Sequence, residues 1–433
     1  MNDPSPPPSS LSSSVLDVAW ARAQFPSLEL RVGGRQVRYF DNPAGTQVPL
    51  QVQRATAEYF ASANANSHGT FLTSERTDAI IDRARVLSAA LLGASSPREI
   101  VFGANMTSLT LAASTAFGRL LRAGDEVIVS DLDHDANIGP WLELEAAGIA
   151  VRRIPVHVET GTLDLPAYER LLGERTRLVA VGYASNALGT VNDIRRITER
   201  AHAAGAWVWV DAVHLAPHRP IDVQALDIDF LVCSAYKFFG PHVGVLWGRR
   251  ELLEALPSRR IRPAPSQVPD KLESGTKNHE GLAGLVGALE YLAALGTGGA
   301  AAPAVVAASP EAARPALHAG LSAIAAYETE LCRQLLTGLT AIPGLSLHGL
   351  TSPGALAERV PTFAFTLRGQ NNLDVARRLG ERGIFLWAGH HYALTLMDRL
   401  GLGQDGVVRV GAVHYNTAEE VAELLGAIEA LAR

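Results

Sequence analysis

Two apolar runs that each end in polar side chains constrain this chain more than any other feature. Residues 207–210 lead into Asp211, and residues 230–233 lead into Ser234 and Lys237. Short apolar runs bounded by polar residues are typical of buried strands. In α/β proteins the ends of such strands carry the binding and catalytic groups. The sequence therefore predicts a buried sheet whose edge presents a carboxylate and a lysine.

Strand-like and helix-like segments alternate through most of the chain. Helical periodicity at residues 138–147 and 194–204 separates several apolar runs, and this order predicts an α/β fold with a mostly parallel central sheet and crossover helices. Residues 321–339 have helical spacing and 362–367 alternate like a half-buried strand, which predicts a smaller C-terminal α+β domain. The predicted strands of the large sheet are residues 99–102, 126–130, 150–156, 178–183, 207–210, 230–233 and 243–247.

Local composition divides the chain into four parts. Residues 1–14 are rich in Pro and Ser and lack the apolar centre of a signal peptide, so we expect a disordered tail. Residues 15–295 form the large domain. Residues 296–316, rich in Ala, Gly and Pro, are predicted to be a linker or insertion, and 317–433 the small domain.

Composition narrows the possible partners to small molecules and a second copy of the chain. A formal net charge of −6 with 19% charged residues leaves no basic stripe for nucleic acid, and no uninterrupted apolar run is long enough to span a membrane. Cys233 and Cys332 are not spaced like metal ligands. They are expected to be reduced core thiols of a cytoplasmic protein without a metal site.

A carboxylate and a lysine at neighbouring strand ends suit pyridoxal phosphate. This cofactor needs a lysine that holds its aldehyde as a Schiff base and a carboxylate that keeps its ring nitrogen protonated. Lys237 and Asp211 could fill these roles, and a structural ion pair is the alternative. The stretches Asp-Ala-Val-His from Asp211 and Ser-Ala-Tyr-Lys from Ser234 resemble the signature of class V aminotransferases, close to the cysteine desulfurase and selenocysteine lyase branch. The resemblance implies the fold type I pyridoxal-phosphate transferase fold.

The start of the helix that follows the predicted strand at residues 99–102 is a candidate phosphate site. Free N–H groups and the positive dipole end of a helix attract anions, although an ordinary capped helix is the alternative. By the resemblance, Asn105 and Met106 replace two threonines of the family's phosphate loop, and Ser234 and Tyr236 lie beside the phosphate. Thr276 would reach the phosphate of a neighbouring subunit, which implies a homodimer with shared active sites.

Three further side chains are assigned to the cofactor ring by the resemblance. His134 would stack on the ring and exchange protons with the substrate, as its near-neutral pKa allows, whereas a histidine in an acidic loop is otherwise usually solvated. His214 stands where the family usually has glutamine and can still bond the ring oxygen. Asn186 could donate to the ring hydroxyl or hold the substrate carboxylate.

The substrate side of the site is also assigned by resemblance. Arg409 lies in a segment whose arginine binds the substrate carboxylate, and a planar guanidinium pairs with a carboxylate through two hydrogen bonds. A surface ion pair is the alternative for this residue. Ala44 belongs to a turn that would lie over the substrate side of the cofactor, and His391 could line the pocket. Once freed by the substrate, Lys237 would move the α-proton.

One departure from the family pattern concerns the nucleophile. In the desulfurase branch a cysteine follows a Gly-His-His run, and here Tyr392 follows Gly389-His390-His391. Tyr392 could donate a proton or only pack. Trp387 stands where an arginine is common and would give the pocket a more apolar wall.

Persulfide formation needs a thiolate. We therefore expect a lyase acting on a sulfur- or selenium-containing amino acid without an enzyme persulfide. An aminotransferase or amino-acid epimerase is the alternative within enzymes, and a catalytically idle cofactor-binding scaffold is the alternative outside them.

Overall fold

A computed structural model describes residues 16–297 and 309–433. The predicted N-terminal tail and the middle of the predicted linker lie outside the described residues. Within the described part no helix combines the length and the apolar character that crossing a membrane requires.

The described chain forms strands and helices with the following bounds. The strands are β1 (Arg31–Val32), β2 (Arg35–Gln36), β3 (Arg38–Tyr39), β4 (Ile100–Gly103), β5 (Glu126–Ser130), β6 (Ala150–Ile154), β7 (Val156–His157), β8 (Thr162–Leu163), β9 (Thr176–Gly182), β10 (Trp207–Asp211), β11 (Phe230–Ser234), β12 (Gly244–Gly248), β13 (Leu345–His348), β14 (Thr362–Leu367), β15 (Ile384–Phe385), β16 (Trp387–Gly389) and β17 (Val407–Gly411). The α-helices are α1 (Val18–Ala23), α2 (Leu50–Ser62), α3 (Leu72–Leu92), α4 (Met106–Phe117), α5 (Gly139–Leu142), α6 (Leu165–Leu171), α7 (Ile194–Ala203), α8 (Val223–Leu226), α9 (Arg250–Ala255), α10 (His279–Leu295), α11 (Pro310–Ala341), α12 (Asn372–Gly380), α13 (Leu394–Arg399) and α14 (Ala418–Ala432).

The large domain is built on a seven-stranded sheet in the order β4-β12-β11-β10-β9-β5-β6. Strands β11, β10, β9, β5 and β6 pair in parallel, and β12 runs antiparallel to both of its neighbours. The predicted mostly parallel sheet is therefore confirmed. Parallel strands place their carboxyl ends at one edge, so the residues that follow β5, β9, β10 and β11 lie close together.

Helices cover both faces of this sheet. Side chains alternate across a strand, and in β5 Ile128 packs into one core while Val127 and Val129 pack into the other. The first core is completed by α3, α10 and the N-terminal half of α11, and the second by α4 and α5. Burial on both faces explains why these strands are continuous apolar runs in the sequence.

The small domain is a four-stranded antiparallel sheet in the order β13-β14-β17-β16. Its core includes Leu335 of α11 together with residues of α12 and α14, and Phe40 from the N-terminal segment packs there as well. Strand β3 pairs in parallel with β15, so the beginning of the described chain is fastened to the small domain.

Helix α11 corrects the predicted end of the linker. The helix begins at Pro310, so residues 310–316 are helical rather than linker. Proline fits the first helical turn because the N–H it lacks would have no partner there. Ala313 and Leu317 pack into the large-domain core, whereas Leu331 and Leu335 pack into the small-domain core. One continuous helix therefore joins the two cores.

Candidate active site

A cavity of about 540 Å³ opens where the carboxyl ends of the parallel strands meet the N-terminus of α4. Sites for small molecules usually have this size and occur at this place in α/β sheets. Most of the residues assigned to the cofactor line it. The lining includes Asn105, Met106, Ser108, Asp133, His134, Asn186, Asp211, His214, Ser234, Tyr236, Lys237 and His242.

Lys237 lies in a single helical turn directly after β11 and is buried. Its Nζ donates to the carbonyl oxygen of Ala44 at 3.0 Å and to that of Pro43. Burial lowers the pKa of this amine to about 7, so a neutral, nucleophilic form is accessible near neutral pH. The chain has only two other lysines, Lys271 and Lys277, and neither lines the cavity.

Asp211 ends β10 and places its carboxyl group in the same cavity. One carboxyl oxygen accepts a hydrogen bond from the backbone N–H of Val213 at 2.9 Å. Burial raises the pKa of the carboxyl group to about 7, and the nearby Asp133 carboxylate adds to the effect. Cationic groups facing Asp211 would stabilise its ionised form.

His134 and Tyr392 meet at one wall of the cavity. Their rings are stacked with centroids 5.4 Å apart and planes 21° apart. His134 Nδ1 accepts from the N–H of Ala136, and burial lowers the pKa of the imidazole to about 4, so the ring is neutral. The carbonyl oxygen of Tyr392 accepts from the N–H of Asp135 at 2.7 Å, which fixes the loop between β16 and α13 against the large domain.

Side-chain oxygens already bind N–H groups at the start of α4. Asn105 caps the helix, and its Oδ1 accepts from the N–H of Ser108 at 2.9 Å. Ser234 Oγ accepts from the N–H of Met106 at 2.8 Å. These are the groups that the sequence assigned to phosphate binding. A phosphate bound at this end of the helix would replace the oxygens of Asn105 and Ser234 as the acceptor of hydrogen bonds from these N–H groups.

Arg409, on β17, is buried beside the cavity. Its Nη1 donates to the carbonyl oxygen of Asn186 at 3.1 Å, and its Nη2 lies 3.4 Å from a carboxyl oxygen of Asp41. Asn186 donates through Nδ2 to the carbonyl oxygen of His391 at 2.8 Å. Within the described residues, Arg409 Nε and Asn186 Oδ1 are buried without a hydrogen-bond partner. Buried polar atoms usually have partners, so this pair suits a polar ligand.

The remaining predicted residues are His214, His391 and Thr276, and of these three only His214 lines the cavity. His214 lines it, bonds Thr362 Oγ1 at 3.0 Å through Nε2, and has its pKa lowered by burial. His391 is buried, and its Nε2 lies 3.2 Å from the carbonyl oxygen of Val407. Thr276 is exposed and lines a neighbouring cavity of about 350 Å³ rather than this one. The two cavities share Ser108.

The structure adds functional candidates that the sequence reasoning missed. His242 lines the cavity with its ring stacked on Tyr236, the centroids 4.9 Å apart. Asp133 accepts from the N–H of Gly182 and from Ser130 and Asn137, and burial raises its pKa to about 6. The position of Asp133 in the sequence could have indicated a role, because it lies shortly after β5 and immediately before His134. His242 follows a Gly-Pro turn, and nothing in its spacing pointed to the cavity.

Comparisons with known proteins find relatives over nearly the whole chain. The family model for aminotransferase class-V matches residues 38–303 and 297–424. A cysteine desulfurase of Pectobacterium atrosepticum is 34% identical over 428 residues, which cover 95% of this chain and 97% of that protein. The solved apo cysteine desulfurase of Thermococcus onnurineus has a TM-score of 0.84 at 27% identity, with 97% of this chain and 98% of that chain covered. A solved cysteine desulfurase of Escherichia coli has a TM-score of 0.80 at 30% identity, with 96% and 98% covered.

These matches span both domains and include the large parallel sheet that carries Lys237 and Asp211. The fold type I architecture expected from the resemblance is confirmed, as is the resemblance itself. The chain belongs to the class-V aminotransferase family and is an enzyme of its cysteine desulfurase-like branch.

Proposed function

We propose that the protein is a pyridoxal-phosphate enzyme that cleaves the C–S, or C–Se, bond of an amino acid without forming an enzyme persulfide. The observation that carries the proposal is the convergence of Lys237, Asp211 and His134 on one cavity beside Arg409. The similarity to proteins named cysteine desulfurases supports the choice of bond.

The residues of the cavity fit the cofactor. A protonated ring nitrogen facing Asp211 would stabilise a carboxylate whose pKa burial otherwise raises. Lys237 is the lysine of this cavity, and its lowered pKa suits attack on an aldehyde. Asn105, Met106 and Ser234 would hold the phosphate at the start of α4. When bound, pyridoxal phosphate supplies a ring that withdraws electrons from the α-carbon of an amino acid.

Four residues have proposed roles in the reaction. The guanidinium of Arg409 binds the substrate carboxylate through two hydrogen bonds, and Asn186 Oδ1 accepts from the substrate or the cofactor hydroxyl. Lys237 Nζ takes the α-proton, for which a pKa of about 7 is well matched. His134, neutral and stacked, would keep the ring in place. Loss of the β-substituent with the C–S electron pair, followed by hydrolysis, converts the substrate and one water into a thiol, pyruvate and ammonium.

The absence of a persulfide is inferred from the two cysteines of the chain. Cys233 and Cys332 are both buried, at 0% and 2% exposure. Burial raises the pKa of both thiols, that of Cys332 to about 11, so neither supplies a thiolate at neutral pH. In β11, Cys233 packs into the apolar core, while the next residue, Ser234, faces the cavity.

Product analysis of the purified protein tests the proposal. L-cysteine, S-alkyl cysteines and selenocysteine are each incubated with enzyme loaded with pyridoxal phosphate, with Lys237→Ala as the inactive variant and Lys271→Ala as the matched control. We expect pyruvate and thiol, sulfide or selenide from wild type and Lys271→Ala only. Keto-acid-dependent turnover would indicate the aminotransferase, α-hydrogen exchange alone the epimerase, and no reaction of any kind the idle scaffold.

We also propose a homodimer with shared active sites and a location in the cytoplasm. Thr276 supports the dimer, since it is exposed and lies outside the cavity of its own chain, yet the cavity that it lines shares Ser108 with the active site. A partner could therefore approach the start of α4 from this side. Light scattering of the wild-type protein should give the mass of two chains, and Thr276→Ala should bind the cofactor more weakly if Thr276 contacts the phosphate in the partner's site.

A further inference from the structure

An aromatic rim borders the active site on the side of the small domain. It consists of Trp387, His390 and Tyr392, on β16 and the loop that follows. Trp387 is 53% exposed and Tyr392 is 62% exposed, whereas most large apolar side chains of the described chain are buried. A group of exposed aromatic side chains beside a binding site is a common place for a ligand to pack.

Strand register places Trp387 beside Arg409, the arginine proposed to bind the substrate carboxylate. Trp387 of β16 lies directly opposite Arg409 of β17. Residues directly opposite each other in an antiparallel pair project on the same face of the sheet. The next pair, Ala388 and Val408, is buried in the small-domain core, so Trp387 and Arg409 lie on the opposite face, together with Ala364, which packs into the large-domain core.

Tyr392 continues the rim to the wall of the cavity. Its ring stacks on that of His134, which lines the cavity, and the ring of His390 contacts Tyr392 edge-on with centroids 5.7 Å apart. None of the three rim side chains carries a carboxylate or a permanent positive charge. A substrate group that contacts the rim would therefore meet aromatic surface rather than a charged side chain.

We infer that the rim is a subsite for an aromatic or bulky apolar substituent on the substrate's sulfur or selenium. This inference rests on the proposed function and specifies its substrate class as S-conjugated cysteines instead of free cysteine. Arg409 holds the α-carboxylate, the β-carbon lies in the cavity, and the substituent packs on Trp387 and Tyr392. Aromatic rings pair favourably in stacked or edge-on geometry, which the rim can offer.

A series of substrates that share one scissile bond tests the subsite. L-cysteine, S-methyl-L-cysteine and S-benzyl-L-cysteine share the Cβ–S bond and differ only in the substituent. Binding to the loaded enzyme is followed by the change in cofactor absorption, and turnover by pyruvate. Wild type should bind the benzyl compound about tenfold more tightly than the methyl compound, as expected when roughly half of a phenyl group leaves water.

Variants of the rim separate a subsite from general hydrophobic attraction. Trp387→Ala should reduce the ratio of the affinity for the benzyl compound to that for the methyl compound about tenfold. Trp387→Phe should keep most of this ratio, and Trp387→Arg should favour small substrates. Leu373→Ala, at another exposed apolar residue of the small domain, should leave the ratio unchanged.

Two results would overturn the subsite while leaving the proposed function intact. One is a wild-type preference for cysteine, and the other is a ratio unaffected by Trp387→Ala. Failure of every compound to bind wild type would overturn both the subsite and the proposed function.

Discussion

At alkaline pH, replacing Asp211 by asparagine should stabilise the cofactor-free protein. The carboxyl pKa is 3.8 in an unfolded chain and is raised by burial to about 7 in the fold. The shift of roughly 3 units corresponds to about 4 kcal/mol, at about 1.4 kcal/mol per unit. The raised pKa contributes stability below pH 4, and this contribution is lost as the pH rises through 7. Asn cannot ionise and can still accept from Val213 N.

Urea denaturation of the two proteins at pH 4 to 8 measures the effect. We expect Asp211→Asn to exceed wild type by up to about 4 kcal/mol in unfolding free energy at pH 8, and the difference to shrink towards pH 4. The same variant, reloaded with cofactor, should react more slowly because the ring nitrogen has lost its ionic partner. Function and stability would then oppose each other at one residue.

Asp229→Asn is the matched control. Asp229 is also buried, but it accepts from the N–H of Val208 at 2.8 Å and pairs with Arg249 at 3.1 Å. Removing its charge takes one of two carboxylate partners from Arg249, which still pairs with Asp227, and weakens the contact with His202 Nε2 at 2.8 Å, so this variant should be less stable than wild type. A loss of stability in Asp211→Asn at pH 8, like that of the control, would refute the argument from burial of Asp211.

Three other predictions follow from particular contacts. Cys233 and Cys332 should resist iodoacetamide in the native protein and react only after denaturation, as mass spectrometry of the modified peptides would show; labelling of the native protein would contradict their burial. Arg409→Lys should raise the KM for the amino-acid substrate at least about tenfold with a smaller change in kcat, because lysine cannot form the two parallel hydrogen bonds; an unchanged KM in steady-state kinetics would remove the carboxylate role. Leu335→Ala, in the small-domain core, should lower the unfolding free energy by about 2–5 kcal/mol in urea titrations, and a loss below 1 kcal/mol would mean that this core is loosely packed.

The sequence predicted the large sheet because burial on both faces leaves a clear local signal. Strands such as β10 and β11 are apolar throughout, and polar residues mark their ends. The direction of β12 left no such signal, since an antiparallel buried strand has the same composition as a parallel one. The sequence does not reveal the start of α11, because a segment rich in alanine, glycine and proline is typical of a linker, although proline is compatible with a first helical turn.

The candidate site was predicted where chemistry and chain position coincide. Asp211 ends a strand, Lys237 and His134 lie shortly after strands, and the resemblance gave each a role. Asp41, which pairs with Arg409, was missed because the two residues are 368 positions apart and only the fold brings them together. His242 was missed for a similar reason, since its stacking on Tyr236 depends on the turn between them. Tertiary contacts of this kind have no local pattern.

The location of the bound cofactor tests the proposed active site most directly. The protein, purified with pyridoxal phosphate, is reduced with borohydride, digested and analysed by mass spectrometry. We expect a phosphopyridoxyl group on Lys237 and none on Lys271 or Lys277. An unmodified Lys237, or modification of another lysine at equal yield, would contradict the assignment of this cavity as the active site.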